Sequence, residues 1–234
     1  MSRISEIMQE TYVLTRRDYL NCRSWTQGVS EFNFKVTMFG NDVEVTMRDV
    51  GGDEVNRAQY WGAAIKDSFC ILFVISLSDY TRTEKETATA KFRRIRKILW
   101  GYLIDEKNPK IILVCNKQDL FREKLKDVPL HKGCKEFTDF AHQAEGEEFE
   151  AYCERSEKAV LDYFQKMPPS MGSSEKVQKR KEADSDFNLE NVRLHGAFVT
   201  QATDEALFLE VKTKITKIFC DFLTNCVMQA FPDQ

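Results

Sequence analysis

Apolar and polar residues alternate from Phe32 onward: Phe32, Phe34, Val36 and Met38 interleave with Asn33, Lys35 and Thr37. After Gly40-Asn41 the habit returns, with Val43, Val45 and Met47 set against Glu44, Thr46 and Arg48. A period of two sends neighbouring side chains to opposite faces, so the pattern predicts a β-hairpin with one face buried. Phe69 to Ile75 and Ile111 to Cys115 are instead apolar at every position, which predicts strands inside a parallel sheet covered by helices on both sides. Ala197-Phe198-Val199 is a shorter third strand. Between these runs the apolar positions step by three and four, through Ala88, Phe92, Ile95, Leu99 and Tyr102, and again through Leu207, Val211, Ile215, Ile218 and Phe222. That is helical spacing, and strands alternating with helices predict an α/β fold. Pro168-Pro169 stops a helix after Met167, and from Gly172 to Asp186 only Val177 and Ala183 are apolar, so this stretch is expected as a mobile surface loop. Its Lys179-Arg180-Lys181 is closely flanked by acidic residues and reads as a solvated surface rather than a phosphate or nuclear-import patch.

Composition narrows the function classes. With 234 residues and 42% apolar content the chain can build a real core, and one compact domain is the default. Lys plus Arg number 34 against 37 Asp plus Glu, so the net charge of -3 exerts no global pull toward nucleic acid or an acidic membrane. Seven scattered cysteines without a C-x-x-C pair speak against a disulfide framework or zinc site and for a reducing, cytoplasmic setting. The first residues carry no apolar signal core, the second position is Ser2 rather than the glycine that myristoylation needs, and the Phe69 to Leu77 run is too short to span a bilayer. No transmembrane segment and a soluble protein are expected.

Three short motifs carry chemistry. Asp49-Val50-Gly51-Gly52 ends the second hairpin strand, where a carboxylate can hold a Mg²⁺-bound water and a glycine amide can approach a γ-phosphate. Asn116-Lys117-Gln118-Asp119 directly follows the buried strand ending at Cys115. An Asp there can accept two hydrogen bonds from guanine's N1 and exocyclic amine, which adenine lacks, while the Lys stem covers the ring and the Asn braces the loop. Thr200-Gln201-Ala202-Thr203 follows the third strand, where a backbone N–H could meet the guanine carbonyl.

Together these residues resemble the G-protein superfamily, and the upstream segment narrows the resemblance to heterotrimeric G-protein α subunits. Tyr12 to Glu31 is similar to that family's second linker and first switch, Y-x-P-T-x-x-D-x-L-x-x-R-x-x-T-x-G-[IV]-x-E, with Leu14 in place of the Pro. The likeness continues through Leu77-Ser78-Asp79-Tyr80, Asn116 to Phe121, Val128-Pro129-Leu130 and Thr200 to Asp204. It implies a Ras-like P-loop GTPase fold, with 1–19 as a remnant of the helical domain and second linker, 20–234 as the GTPase domain, and a polar insertion at about 168–191. It implies a guanine-nucleotide site lined by Leu20, Asn21, Cys22, Arg23, Ser24, Trp25 and Thr26, by Asp49, Val50, Gly51 and Gly52, and by Asn116, Lys117, Gln118, Asp119 and Ala202. Within it Arg23 matches the built-in arginine finger, an effect of roughly 10³ to 10⁵ in rate. Thr26 matches the Mg²⁺-binding switch threonine, Asp49 the carboxylate behind the ion through a water, and Gly52 the γ-phosphate sensor. Trp61 resembles the aromatic that anchors the βγ dimer, although a half-buried core Trp fits equally.

The departures from the family bear on activity. The sequence contains no G-x-x-x-x-G-K-[ST], and the family's first strand and most of its helical domain have no counterpart. Because that strand is central, its loss would leave two neighbouring strands with unpaired backbone groups, at about 1 to 3 kcal/mol for each buried one. The water-orienting Gln is replaced by Asp53, followed by Glu54. One such like-charge contact at about 4 Å and an effective dielectric near 20 opposes phosphate binding by roughly 4 kcal/mol. Impaired hydrolysis is therefore expected, the alternative being Asp53 as an inefficient general base. The second switch is one residue longer than in the family. The tail from Cys226 to Gln234 lacks the usual receptor-reading ending, which counts against receptor coupling. Two functions follow as expectations: a GTP/GDP- and Mg²⁺-binding signalling switch for βγ and effectors, peripheral at the inner membrane face through its partners, or a nucleotide-free interaction module that keeps only the switch surface.

Overall fold

Alternating residues pair across the first sheet as their pattern requires. In the computed structural model, which describes residues 7–9, 11–13, 15, 18, 26, 28–38, 41–66, 68–81, 87–105 and 110–230, strand β1 (Val29–Met38) pairs antiparallel with β2 (Asn41–Val50). Phe32 lies opposite Met47, Phe34 opposite Val45 and Val36 opposite Val43, so the apolar residues of both strands share one face. The expectation that this face is buried is not met, since Phe32, Phe34 and Met47 are exposed. Alternation decides which residues share a face; a covering layer is a separate requirement.

The chain clusters into two units, Met1–Ser68 and Phe69–Gln234. In the first, β2 runs through Gly51 and Gly52 into a helical stretch of three parts: α1 (Glu54–Asn56), a π-helical turn (Arg57–Trp61) and α2 (Gly62–Lys66). A π turn closes i→i+5 bonds and so takes up one residue more than an α turn. It falls in the segment expected, from the resemblance, to be one residue longer than in the family.

The second unit is a parallel three-stranded sheet, order β3 (Cys70–Ser76), β4 (Lys110–Asn116), β5 (Gly196–Val199). Phe73 pairs with Leu113, and Leu113 with Ala197, so β4 is central, and Ile111 to Cys115 are buried as a two-sided apolar run predicts. β3 departs from that expectation: Phe73 and Ile75 are buried, but Leu72 is 46% and Val74 60% exposed. The strand pairs on one side only and is an edge of its sheet among the described residues.

Helices α3 (Ala88–Leu103), α4 (Gln118–Asp127), α5 (Leu130–Gly133) and α6 (Phe149–Gln165) supply the rest of this core. Thr87 caps α3 by accepting from the Ala90 N–H at 3.2 Å, and buried Trp100 donates its indole N–H to the Phe164 carbonyl at 2.9 Å. The stretch expected as a mobile loop is instead helical, with α7 (Pro169–Gly172) followed by α8 (Glu175–Ala183). Ser174 caps α8, Glu175–Lys179 and Arg180–Asp184 pair at i,i+4, and Val177 is buried. One apolar anchor with caps and charge pairs suffices for a short surface helix. The terminal helix α9 (Glu205–Ala230) follows β5.

Candidate functional site

Parallel strands β4 and β5 end on the same side of their sheet, where open α/β folds bind ligands. Asn116 closes β4, and Lys117 then adopts the left-handed conformation at φ 64° and ψ 46°, the one non-glycine residue with positive φ among those described. That backbone costs an L-residue about 1 to 2 kcal/mol, so neighbours must hold it. The Asn116 Oδ1 accepts from the Lys117 N–H at 2.7 Å and from the Ala202 N–H at 3.2 Å, and the Gln118 N–H donates to the Thr200 carbonyl at 3.4 Å. One side chain thus ties the loop after β4 to the loop after β5. Lys117 and Asp119 are exposed, with Asp119 in the first turn of α4, where the helix dipole favours a carboxylate. The buried Thr200 hydroxyl finds no hydrogen-bond partner among the described residues, as befits a site with polar capacity to spare. The Gln118 side chain turns away from this loop to α6, where it donates to Glu157 at 2.9 Å.

The first unit gathers the other motif residues. The Thr26 hydroxyl donates to Asp49 Oδ2 at 3.3 Å, and two hard oxygen groups so close suit a Mg²⁺ ion and its water. Val50 completes the ladder opposite Val29, and the Gly51 N–H donates to the Gly28 carbonyl at 3.4 Å. A Cβ at Gly51 would meet the Thr26 carbonyl and come within 2.6 Å of the Asn56 side chain, so only glycine fits; at Gly52 the same position is open. Asn56 links the two segments: its Oδ1 accepts from the Gly28 N–H at 2.9 Å, and its Nδ2 donates to the Thr26 carbonyl at 3.4 Å and to Asp53.

Asp53 serves as a cap. Its Oδ1 accepts from the N–H groups of Asn56 at 3.0 Å and Val55 at 2.9 Å. These bonds, led by those from the Asn56 backbone and side chain, hold its carboxyl below the usual range, which makes it a weaker base. Trp61 donates its indole N–H to the Gly51 carbonyl at 2.9 Å, so the aromatic expected at a partner surface also braces the D-x-G-G turn. Leu20, Asn21, Cys22, Arg23, Ser24 and Trp25 lie outside the described residues.

The predicted residues therefore form two constellations: Thr26, Asp49, Gly51 and Asp53 in the first unit, and Asn116, Lys117 and Ala202 in the second. Asn56 and Glu157 were missed by the sequence reading. The Asp53-x-x-Asn56 spacing is that of a helix cap and its N3 partner. Glu157 is a charge placed among the buried stripe of α6, Tyr152, Cys153, Ser156, Val160 and Phe164. Among the described residues no cluster of three or more His, Cys, Asp or Glu could hold a metal ion, and no helix is long and apolar enough to cross a membrane.

A family profile described as G-protein alpha subunit matches residues 1–219. The guanine nucleotide-binding protein alpha-9 subunit of Dictyostelium discoideum is 33% identical over 133 residues, 56% of this chain and 37% of that protein. The alpha-12 subunit of the same organism is 31% identical over 160 residues, 64% of this chain and 44% of that protein. The alpha-2 subunit of Schizosaccharomyces pombe is 34% identical over 150 residues, 62% and 39% respectively. The chain spans about 37% to 44% of the length of these relatives. The profile extends from the residues before the hairpin into the terminal helix, and on that breadth the chain belongs to the G-protein alpha subunit family.

Proposed function

We propose that the chain is a guanine-nucleotide-binding signalling protein of the α-subunit kind, with hydrolysis weak or lost. The observation that carries the reading is the Asn116 bridge, which joins the loops after β4 and β5 and supports a left-handed Lys117 next to an exposed Asp119. In this reading Asp119 accepts from guanine N1 and its exocyclic amine, the Lys117 stem covers the base, and the Ala202 N–H, given to Asn116 Oδ1 at 3.2 Å, would turn to the guanine carbonyl when the base binds. Thr26 would hold Mg²⁺ with Asp49 behind it through water; the ion would supply charge neutralisation of the phosphates. Residues 1–19 are read as corresponding to the helical domain's end and the second linker, and 20–234 as the Ras-like GTPase domain.

Two features support impaired hydrolysis. Asp53 stands where the family places its water-orienting Gln, and its carboxylate is engaged by three donors from Val55 and Asn56. A lowered pKa further weakens it as a base. Partners proposed are a βγ dimer at the surface around Trp61 and an effector, with the protein peripheral at the inner membrane face through them.

A second reading, a nucleotide-free interaction module, is favoured by one observation. The Asn56 side chain bonds directly to Thr26, Gly28 and Asp53, so the segments that the first reading gives to Mg²⁺ and phosphate are held to one another by a side chain of their own. Titration of the 234-residue chain with fluorescent GDP and GTP analogues and Mg²⁺ separates the two. The first reading expects saturable binding that guanosine diphosphate competes and adenosine diphosphate does not; no saturation at tens of micromolar would overturn it. A single-turnover rate typical of the family would overturn the claim of impaired hydrolysis.

A further inference from the structure

The loop after β4 is held from a third side. On α6 Glu157 is only 7% exposed, and burying its carboxylate requires that both oxygens find donors. Its Oε2 accepts from Gln118 Nε2 at 2.9 Å and its Oε1 from Arg122 Nε at 2.6 Å. Gln118 and Arg122 stand one turn apart on α4, so the carboxylate grips the same face of that helix twice. Arg122 reaches on to Glu150, a second carboxylate at the start of α6. Gln118 lies between the left-handed Lys117 and Asp119. Any rotation of the first turn of α4 about its axis carries Asp119 with it, and the Gln118 and Arg122 bonds oppose that rotation.

We propose that Glu157 is a positioning residue for the Asn116-Lys117-Gln118-Asp119 loop. Through Gln118 and Arg122 it fixes the direction of the Asp119 carboxylate and sustains the left-handed backbone at Lys117, and so it sets discrimination for the exocyclic amine of a purine. The discrimination part rests on the guanine-binding reading of this site; the positioning part does not.

The test uses the full chain and two readouts. Amide hydrogen exchange in nucleotide-free buffer compares wild type, Glu157→Ala and Glu157→Gln. In Glu157→Ala, exchange over 116–121 is expected to rise about tenfold while peptides from β4 and β5 stay unchanged. Glu157→Gln keeps an acceptor for Gln118 without the charge that binds Arg122, and should fall between; it carries the test if the alanine variant fails to fold. Unchanged exchange at 116–121, or equal acceleration along all of α4 and α6, identifies a simple interhelical strut and overturns the positioning role. In the second arm, competition between guanosine and inosine diphosphate reports the amine alone. A guanosine preference that falls about tenfold in Glu157→Ala supports the assignment, and an unchanged ratio overturns its specificity part. Failure of wild type to bind either nucleotide counts against the guanine reading, and the exchange result still decides the positioning role.

Discussion

Replacing Asn116 by Ala removes the acceptor shared by the Lys117 and Ala202 N–H groups, at 2.7 and 3.2 Å. Each neutral bond contributes about 0.5 to 1.5 kcal/mol net, and both donors belong to exposed residues that can turn to water, which places each in the lower half of that range. Two such bonds, whose loss also leaves the left-handed Lys117 without its support, give an expected cost of at least about 1 to 2 kcal/mol. Asn116→Asp retains the Oδ1 acceptor at the same reach and should cost less than about 0.5 kcal/mol. Stability must be read in the second unit alone, because two units need not unfold together. Of the three tryptophans, Trp100 belongs to that unit and is buried against the Phe164 carbonyl. Urea unfolding followed by fluorescence in a Trp25→Phe, Trp61→Phe background therefore isolates it. Equal midpoints for Asn116→Ala and its parent, or an Asp variant as unstable as the Ala variant, would refute the bridging role.

Other perturbations reach different parts of the molecule. Gly133→Ala places a Cβ within 2.6 Å of the Tyr80 ring and 2.9 Å of its carbonyl, and is expected to cost about 1 to 3 kcal/mol in the same fluorescence assay. Tyr80→Phe deletes the 2.7 Å bond to the Val128 carbonyl beneath a fully buried ring, with an expected loss of about 1 to 2 kcal/mol by urea unfolding. Val74→Lys should leave the midpoint within about 0.5 kcal/mol because the side chain is 60% exposed; a loss above about 2 kcal/mol would show that this face is covered. Burial pushes the Cys70 and Cys153 thiols from 9.0 up to about 11, so the folded chain keeps protons that the unfolded chain releases. Stability should hold up to about pH 8 and fall as pH rises from 9 toward 11, as measured by urea midpoints across that range. Cys70→Ser with Cys153→Ala should lessen that fall, the remainder coming from the Cys115 and Cys134 thiols, which burial also pushes up.

The elements whose pattern repeats over many residues were legible in advance: the hairpin, both apolar strands, and the helices around Phe92 and Val211. Periodicity reports a face, and it does so without reference to what lies opposite. For that reason the bare faces of Phe32, Phe34, Leu72 and Val74 were misread as covered. The helix α8 was hidden because it rests on a single apolar residue, Val177, and on caps and ion pairs whose individual contributions are small. At the candidate site, Asn116, Lys117 and Asp119 were readable from their order after an apolar strand. Asn56 and Glu157 were not: their bonds to Gly28 and Gln118 reach across 28 and 39 positions of sequence, and the local Asp53-x-x-Asn56 spacing signals a helix cap and nothing of the link to Gly28.

The two sheets also differ in what they ask of the chain as it folds. The hairpin joins neighbours across Phe39-Gly40, a local closure of the kind completed in microseconds. The parallel sheet must bring Phe73 to Leu113 and Leu113 to Ala197, and the entropy of those closures is lost before any contact is gained. Phe69 to Ile75 therefore waits as an uncharged, fully apolar run, first until β4 emerges and then until β5 completes the sheet. That interval leaves an aggregation-prone run without its partner strands, and its length is set by connectivity rather than by the stability of the finished fold.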